Sequence, residues 1–214
     1  ESFYGSGIIY PMKKTIIKTA VITALLLLCS VFIIYFATYI VSPGTIGDMY
    51  KNLGMKNNAV EMYEKQYLSK GNAFDDLKEL VDMAIYAEDE ERVAEYGKIL
   101  TVDQSVKLKL LSDASKKEGE RDIYDYYSTR TVEGFYKIGN KTECVSIAFM
   151  TSESYGKDKS VYFVAMVCSS GNDKELATEF IDYYDNGAYK NNITSGRAEL
   201  VNLVFSLKEK YDLK

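Results

Sequence analysis

The pattern of apolar and polar residues divides the chain into a short flank, one long apolar stretch and a periodic remainder. Residues 20–41 hold 22 positions without a charge. As a helix, this stretch would reach roughly 33 Å at about 1.5 Å per residue, enough to cross a hydrocarbon core of ~30 Å. Tyr35 and Tyr39 fall where interfacial aromatic residues are common, and Pro43 and Gly44 end the helix. The pattern therefore predicts one transmembrane helix.

A cleaved signal peptide and a buried core helix are the alternatives for this stretch. The apolar part of a signal peptide usually spans about 7–15 residues before a cleavage site made of small residues. Here the apolar run is longer, and it ends in the bulky residues 39–41 instead of small ones. A retained span is therefore favoured. The expected domains are an N-terminal flank (1–14), a transmembrane helix (15–42) and a helical domain (43–214).

Lysines on both sides of the span indicate its orientation. Lys13, Lys14 and Lys18 precede the span, whereas Lys51 and Lys56 follow it closely. Basic residues tend to remain in the cytoplasm. The larger number of lysines on the first side therefore favours a cytoplasmic N-terminus and an extracytoplasmic C-terminal domain.

After the span, apolar residues recur at intervals of three and four, as in amphipathic helices. Two clear stripes are Leu77, Leu80, Val81 and Ala84, and Leu200, Leu203, Val204 and Leu207. Clusters of Gly, Asn, Asp and charged residues predict turns at 70–72, 88–89, 117–119, 139–140, 156–158, 171–173 and 186–187. This spacing implies helical hairpins of about 33 residues and an all-α domain of about four or five hairpins.

Residues 46–63 carry the pattern of a known helical repeat. Gly47 stands where the first helix of such a repeat approaches the second, and Ala59 and Tyr63 are the close-contact and aromatic residues of the second helix. The matched positions are Gly47, Tyr50, Leu53, Gly54, Ala59 and Tyr63. The segment resembles a tetratricopeptide repeat, a helix–turn–helix unit of about 34 residues. It departs from the repeat at Pro43, where tryptophan is usual, and at Gly71, where proline is usual.

An offset of 33 residues connects this unit to the next one. The offset relates Val60 to Val93, Tyr63 to Tyr96 and Lys65 to Lys98. A third unit is outlined by Leu108, Leu111, Gly119, Ile123 and Tyr127. The resemblance therefore covers residues 46–130, and it implies a solenoid of paired helices that binds protein segments.

Residues 144–168 are rich in β-branched and aromatic side chains and fit two interpretations. One is a β-hairpin around residues 155–159, although an isolated hairpin has marginal stability. The spacing of the neighbouring turns favours a pair of helices instead. In both interpretations Cys144 and Cys168 can approach each other, either as a disulfide outside the cytoplasm or as two buried thiols.

Composition excludes several classes of function. The chain of 214 residues contains no histidine, which excludes Ser-His and Cys-His nucleophiles and His-ligated zinc or haem. Its three cysteines are too few for a four-thiolate metal site. The part after the span holds all but one of the 31 acidic residues and all but three of the 26 basic residues, a net charge of about −7. Such a surface makes nucleic acid and anionic headgroups poor partners. We expect no cofactor and no metal.

Acidic clusters are the remaining candidates for catalysis. Residues 88–91 lack the ligand spacing and the glycine of a calcium loop, and they stand where acids favour a helix N-terminus. Pairs such as Asp182 and Asp185 could act as the two catalytic carboxylates of a glycosidase only if the fold held them at a fixed separation. We therefore expect no enzyme, with an envelope hydrolase using paired carboxylates as the unfavoured alternative.

An array of helical hairpins exposes the first helix of each pair on a concave face, where aromatic and polar side chains form a peptide groove. The candidate partner-binding residues are Tyr50, Asn57, Asp76, Lys78 and Asp82. The expected function is a membrane-anchored protein–protein interaction module, an accessory or assembly subunit of a bacterial membrane or envelope complex. Its layout resembles that of the ancillary subunit of the bacterial Sec translocon. The alternative is a small structural subunit held mainly through its transmembrane helix.

Overall fold

A computed structural model describes residues 9–71, 73–116, 123–155, 159–187 and 198–213, which form helices joined by short turns and contain no strand. The helices are α1 (Ile9–Val41), α2 (Pro43–Asn52), α3 (Lys56–Ser69), α4 (Phe74–Ala87), α5 (Glu90–Val102), α6 (Gln104–Lys116), α7 (Ile123–Lys137), α8 (Lys141–Tyr155), α9 (Lys159–Ser170), α10 (Lys174–Asn186) and α11 (Ala198–Tyr211). The all-α prediction is confirmed for these residues.

The long first helix, α1, directs its apolar side chains outward. Within its segment Thr15–Val41, the most apolar window has no residue buried against the rest of the chain. The hydroxyls of Ser30 and Thr38 donate to backbone carbonyls one turn earlier, at 2.8 and 2.9 Å, so these polar groups are satisfied inside the helix. By length and composition, α1 is able to cross a membrane, as the sequence predicts.

A corner at Ser42 and Pro43 leads the chain from α1 into α2. The N–H of Ser42 donates to the carbonyl of Thr38 at 2.8 Å, and Pro43 occupies the first turn of α2, where no N–H is needed. The hydroxyls of Tyr35 and Tyr50 lie 2.8 Å apart. Two helices that continued in one direction would separate these tyrosines. Their contact therefore shows that the chain turns at this corner and that α2 stays in contact with the end of α1.

The close packing of α2 on α3 depends on a glycine that faces an aromatic ring. A Cβ atom added at Gly47 would lie 2.9 Å from the ring of Tyr63 and 3.3 Å from the Cβ of Met62. Ala59 at the start of α3 is fully buried. The structure therefore places Gly47 of α2 directly against Tyr63 of α3.

The amide group of Gln66 joins three helices. Its Oε1 accepts the N–H of Gly44 on α2 at 2.6 Å, and its Nε2 donates to Asp76 on α4, also at 2.6 Å. Asp76 is only 8% exposed. Because buried polar groups need hydrogen-bond partners, this bridge holds α2, α3 and α4 in one arrangement.

The helices α5 and α7 cross at close range. Gly97 faces the side chain of Thr131, and a Cβ atom at Gly134 would lie 3.1 Å from the backbone nitrogen of Ala94. This crossing joins two hydrophobic clusters. One is formed mainly by α3, α4, α5 and α7, and the other mainly by α7 to α11.

Residues 144–168 lie in the helix pair α8 and α9, so the helical interpretation is confirmed for the described part of this segment. Cys144 and Cys168 are fully buried in the same hydrophobic cluster, and both thiols are free. Burial raises the pKa of each thiol to about 12. The two cysteines therefore serve as small apolar core residues.

Several predicted turns separate helices in the structure. Glu88 ends α4 in the left-handed conformation with φ of 60°, and Asp89 caps α5 by accepting the N–H of Arg92 at 3.1 Å. The predicted turns near 139–140 and 171–173 also lie between helices. The predicted turns at residues 117–119 and 156–158, together with Asn72 and residues 1–8 of the flank, lie outside the described residues.

Candidate binding cleft

A cleft of about 230 Å³ lies where α2, α3 and α4 meet. Its lining residues are Lys51, Tyr63, Glu79, Asp82, Met83 and Tyr86. Four of them belong to α4 at positions i, i+3, i+4 and i+7, so one face of that helix forms a wall of the cleft. Leu77 and Leu80, on the other face of α4, are buried in the core and hold this wall in place.

Carboxylates give the α4 wall its acidic character. Partial burial raises the pKa of Glu79, and repulsion from the carboxylates of Asp76 and Asp48 raises it further. Burial also raises the pKa of Asp82, although a hydrogen bond from Tyr127 and nearby lysines act in the opposite direction. The Tyr127 hydroxyl donates to Asp82 at 2.7 Å. A cation that enters the cleft would relieve the repulsion among these carboxylates.

Aromatic rings and lysines complete the lining of the cleft. The ring of Tyr86, at the end of the α4 wall, is 47% exposed, and the Nζ atoms of Lys56 and Lys51 lie 4.6 and 6.0 Å from its centre. Tyr63 on α3 is held by donating to Asp48 at 2.5 Å. The cleft therefore combines an exposed ring, a fixed phenol, two carboxylates and a lysine.

One of the five predicted partner-binding residues, Asp82, lines the cleft. Lys78 is half-buried one turn earlier on α4, close enough to affect the charge of Asp82, but does not line the cleft. Asn57 is exposed in the first turn of α3 and does not line the cleft either. Partner binding by these residues stays a prediction.

Tyr50 and Asp76 have structural contacts instead. Tyr50 is half-buried, and its hydroxyl bonds the hydroxyl of Tyr35 at 2.8 Å. Asp76 accepts from Gln66 and lies 3.8 Å from the Nζ of Lys70. The Tyr50 hydroxyl and the Asp76 carboxylate therefore both have partners. They belong to the packing of the first hairpins and not to the open surface.

Five lining residues (Lys51, Tyr63, Glu79, Met83 and Tyr86) were not among the predicted partner-binding residues, although a signal exists for those on α4. Once Leu77, Leu80, Val81 and Ala84 are assigned to the buried stripe of α4, the opposite face follows from the helical period. That face carries Glu79, Asp82, Met83 and Tyr86. Lys51 has no such signal because its position depends on how α2 packs against α4.

The described part of the chain brings no group of three or more Cys, Asp or Glu side chains together in a way that would hold a metal ion. The chemistry available in the cleft is therefore that of carboxylates, phenols and ammonium groups.

Comparisons with models of protein families, with curated proteins and with solved structures find no match to this chain. The resemblance to tetratricopeptide repeats rests on the residues themselves and stays a prediction.

Proposed function

We propose that the chain is a membrane-anchored module that binds a protein partner, as an accessory or assembly subunit of a bacterial membrane or envelope complex. The cleft between α2, α3 and α4 is the observation that carries this proposal. Its carboxylates and exposed ring suit a partner segment with Lys or Arg side chains beside apolar ones. The proposed role is binding, without catalysis.

Buried tyrosines one repeat apart support a tetratricopeptide-like arrangement of the hairpins. Tyr63 and Tyr96 are both buried on the second helix of a hairpin, as expected of equivalent positions in repeated units. Their hydrogen bonds differ: Tyr63 donates to Asp48 on α2, the first helix of its own hairpin, at 2.5 Å. Tyr96 donates to Glu64 on α3, the second helix of the preceding hairpin, at 2.7 Å.

The anchor is α1, which crosses the membrane once in this proposal. The lysines of the flank favour a cytoplasmic N-terminus and an extracytoplasmic domain from residue 43 onward. Tethering raises the effective concentration of the cleft near other membrane proteins, so a modest affinity for the partner is sufficient.

Photo-cross-linking in native membranes tests the proposal. A photoreactive amino acid replaces Tyr86 in one variant and Phe205 on α11, which is 67% exposed, in the control. We expect a discrete adduct from position 86 that is lost when Glu79→Gln and Asp82→Asn are added, and none from position 205. Equal yields at the two positions, or an adduct insensitive to the two substitutions, would contradict binding in the cleft.

A second candidate is a structural subunit held mainly through α1. One face of this helix carries small side chains that permit close packing of another membrane helix: Thr15, Thr19, Ala20, Thr23 and Ala24. A photoreactive residue at position 20 distinguishes the two functions. Cross-linking from position 20 without any from position 86 would favour the structural subunit.

A further inference from the structure

The turn between α2 and α3 carries an exposed apolar tip. Leu53 is 65% exposed and Met55 is 42% exposed. Lys51 and Lys56 stand on either side of them, and residues 51–60 include no acidic residue. The domain has a net negative charge, but this segment is locally cationic and apolar.

The corner at Ser42 keeps α2 in contact with the C-terminal end of α1. Tyr50, three residues before Leu53, contacts Tyr35, so the α2–α3 turn follows shortly after this contact. The two tyrosines each lie about 11 Å along their helices from the corner, at about 1.5 Å per residue. The Nζ of Lys65 lies 3.2 Å from the ring centre of Tyr39, so α3 lies on the same side of α1.

One face of α1 marks the level of this contact. Every side chain from Thr15 to Ile34 is exposed, and from Tyr35 onward one face (Tyr35, Thr38 and Tyr39) is half-buried while Phe36, Ala37, Ile40 and Val41 stay exposed. The stretch from Thr15 to Ile34 would reach about 30 Å, the thickness of a hydrocarbon core of ~30 Å. Tyr35 and Tyr39 then lie at the interface, where tyrosines are enriched. Leu53 and Met55 follow Tyr50 by three and five residues, so in this arrangement they would stand near the level of these tyrosines.

We propose that the α2–α3 turn is a second membrane contact, in which Leu53 and Met55 insert between headgroups and acyl chains while Lys51 and Lys56 bind lipid phosphates. Lysines placed at this level extend their ammonium groups to phosphates and keep their methylenes in apolar surroundings. The neighbouring α4–α5 turn, at residues 88–91, is acidic, so it is not equivalent to the first. The inference rests on the proposed anchoring by α1.

Depth-dependent fluorescence quenching in vesicles tests this contact on the full chain. A fluorophore is attached at native Cys29, or at Leu53→Cys or Leu68→Cys in a Cys29→Ala background. Leu68 is a matched control because it is 61% exposed and lies at the other end of α3. The other two cysteines are fully buried and are not labelled in the folded protein. The vesicles contain phosphatidylcholine with nitroxide-labelled lipid, with or without phosphatidylglycerol.

We expect strong quenching at position 29 and several-fold stronger quenching at position 53 than at position 68. Adding Lys51→Gln and Lys56→Gln should reduce quenching at position 53 mainly in vesicles with phosphatidylglycerol. Strong quenching at position 29 with equal quenching at 53 and 68 would overturn the second contact and leave the anchor intact. Absence of quenching at position 29 would overturn the anchor and this inference together.

Discussion

The hydroxyl of Tyr35, at the end of the long apolar helix, lies 2.8 Å from the hydroxyl of Tyr50 in the first helix of the folded domain. This contact makes the orientation of the domain depend on the direction of α1. A flexible linker would leave the cleft free to turn in any direction. Here the corner and the tyrosine pair hold the domain at a defined position relative to α1.

Replacing either tyrosine of this pair by phenylalanine removes the shared hydrogen bond. Tyr35→Phe and Tyr50→Phe should each lower the free energy of unfolding by about 0.5–1.5 kcal/mol. The double variant should lose no more than the larger single loss, because both substitutions remove the same interaction. Thermal unfolding of the full chain in lipid nanodiscs measures this, and strictly additive losses would show that the two hydroxyls act independently.

Gly47→Leu should disturb the contact between α2 and α3. The first added carbon already lies 2.9 Å from the Tyr63 ring, so the larger side chain forces the helices apart at a cost of about 1–3 kcal/mol. Glu61→Leu, at an exposed position of α3, is the control and should change stability by less than about 0.5 kcal/mol. An unchanged melting curve for Gly47→Leu would reject the repeat alignment at this position.

Glu64→Gln should destabilise the protein in a pH-dependent way. Burial acts to raise the pKa of Glu64, but hydrogen bonds from Arg92 and Tyr96 outweigh it and hold the pKa below the ordinary value of 4.5. A depressed folded-state pKa contributes stability above the unfolded pKa, and this contribution is lost as pH falls through the folded value. We expect a loss of about 1–3 kcal/mol at neutral pH that disappears in acid.

The control for this variant is Glu143→Gln. Its ion pair with Lys98 is 3.0 Å long but largely exposed, so the substitution should cost less than about 1 kcal/mol. Denaturant unfolding of both variants across the acidic range provides the comparison. A loss for Glu64→Gln that stays constant down to the lowest pH would contradict the assigned charge interaction.

Glu79→Gln should stabilise the protein, whereas Glu64→Gln should destabilise it. Because burial and neighbouring carboxylates raise the pKa of Glu79 in the folded protein, its charge opposes folding at neutral pH. The variant should therefore melt at a higher temperature than the wild type near pH 7, and this difference should vanish as pH falls and the wild-type carboxyl is protonated. A gain in stability combined with a loss of partner cross-linking would be typical of a functional site.

Asp103→Asn provides a control of opposite sign for Glu79→Gln. Hydrogen bonds from Ser105 and Val106 hold the pKa of Asp103 below its ordinary value. This substitution should lower the melting temperature at neutral pH, with the difference again lost in acid. If both variants shifted the melting temperature in the same direction, the electrostatic account of the cleft would be wrong.

Local pattern was sufficient to predict several elements of this fold, although the break at Asp103 between α5 and α6 was not among the predicted turns. The uncharged length of residues 20–41 predicted the long apolar helix, and the Glu88–Asp89 turn followed from its place between two apolar stripes. The repeat pattern predicted that Gly47 lies where the first helix approaches the second, and Gly47 faces the ring of Tyr63 on α3. Each of these properties depends on residues that lie close together in the chain.

Tertiary contacts account for what the sequence did not predict. Nothing in the spacing of Tyr35 and Tyr50 indicates that α2 stays in contact with α1, because a pair of hydroxyls carries no periodic signal. Asp76 would be expected at the surface, yet the amide of Gln66 gives it a partner and permits its burial. The cleft likewise needs the packing of α4 against α2 and α3.

Alkaline extraction of native membranes tests the central claim most directly, since it releases peripheral proteins and retains those that cross the bilayer. The account predicts that the full chain stays with the lipid. A variant with Leu26→Arg and Phe32→Arg should instead be released, because charge at the centre of a span is costly. Recovery of the wild-type chain in the aqueous fraction, folded and with α1 covered by protein, would contradict the account.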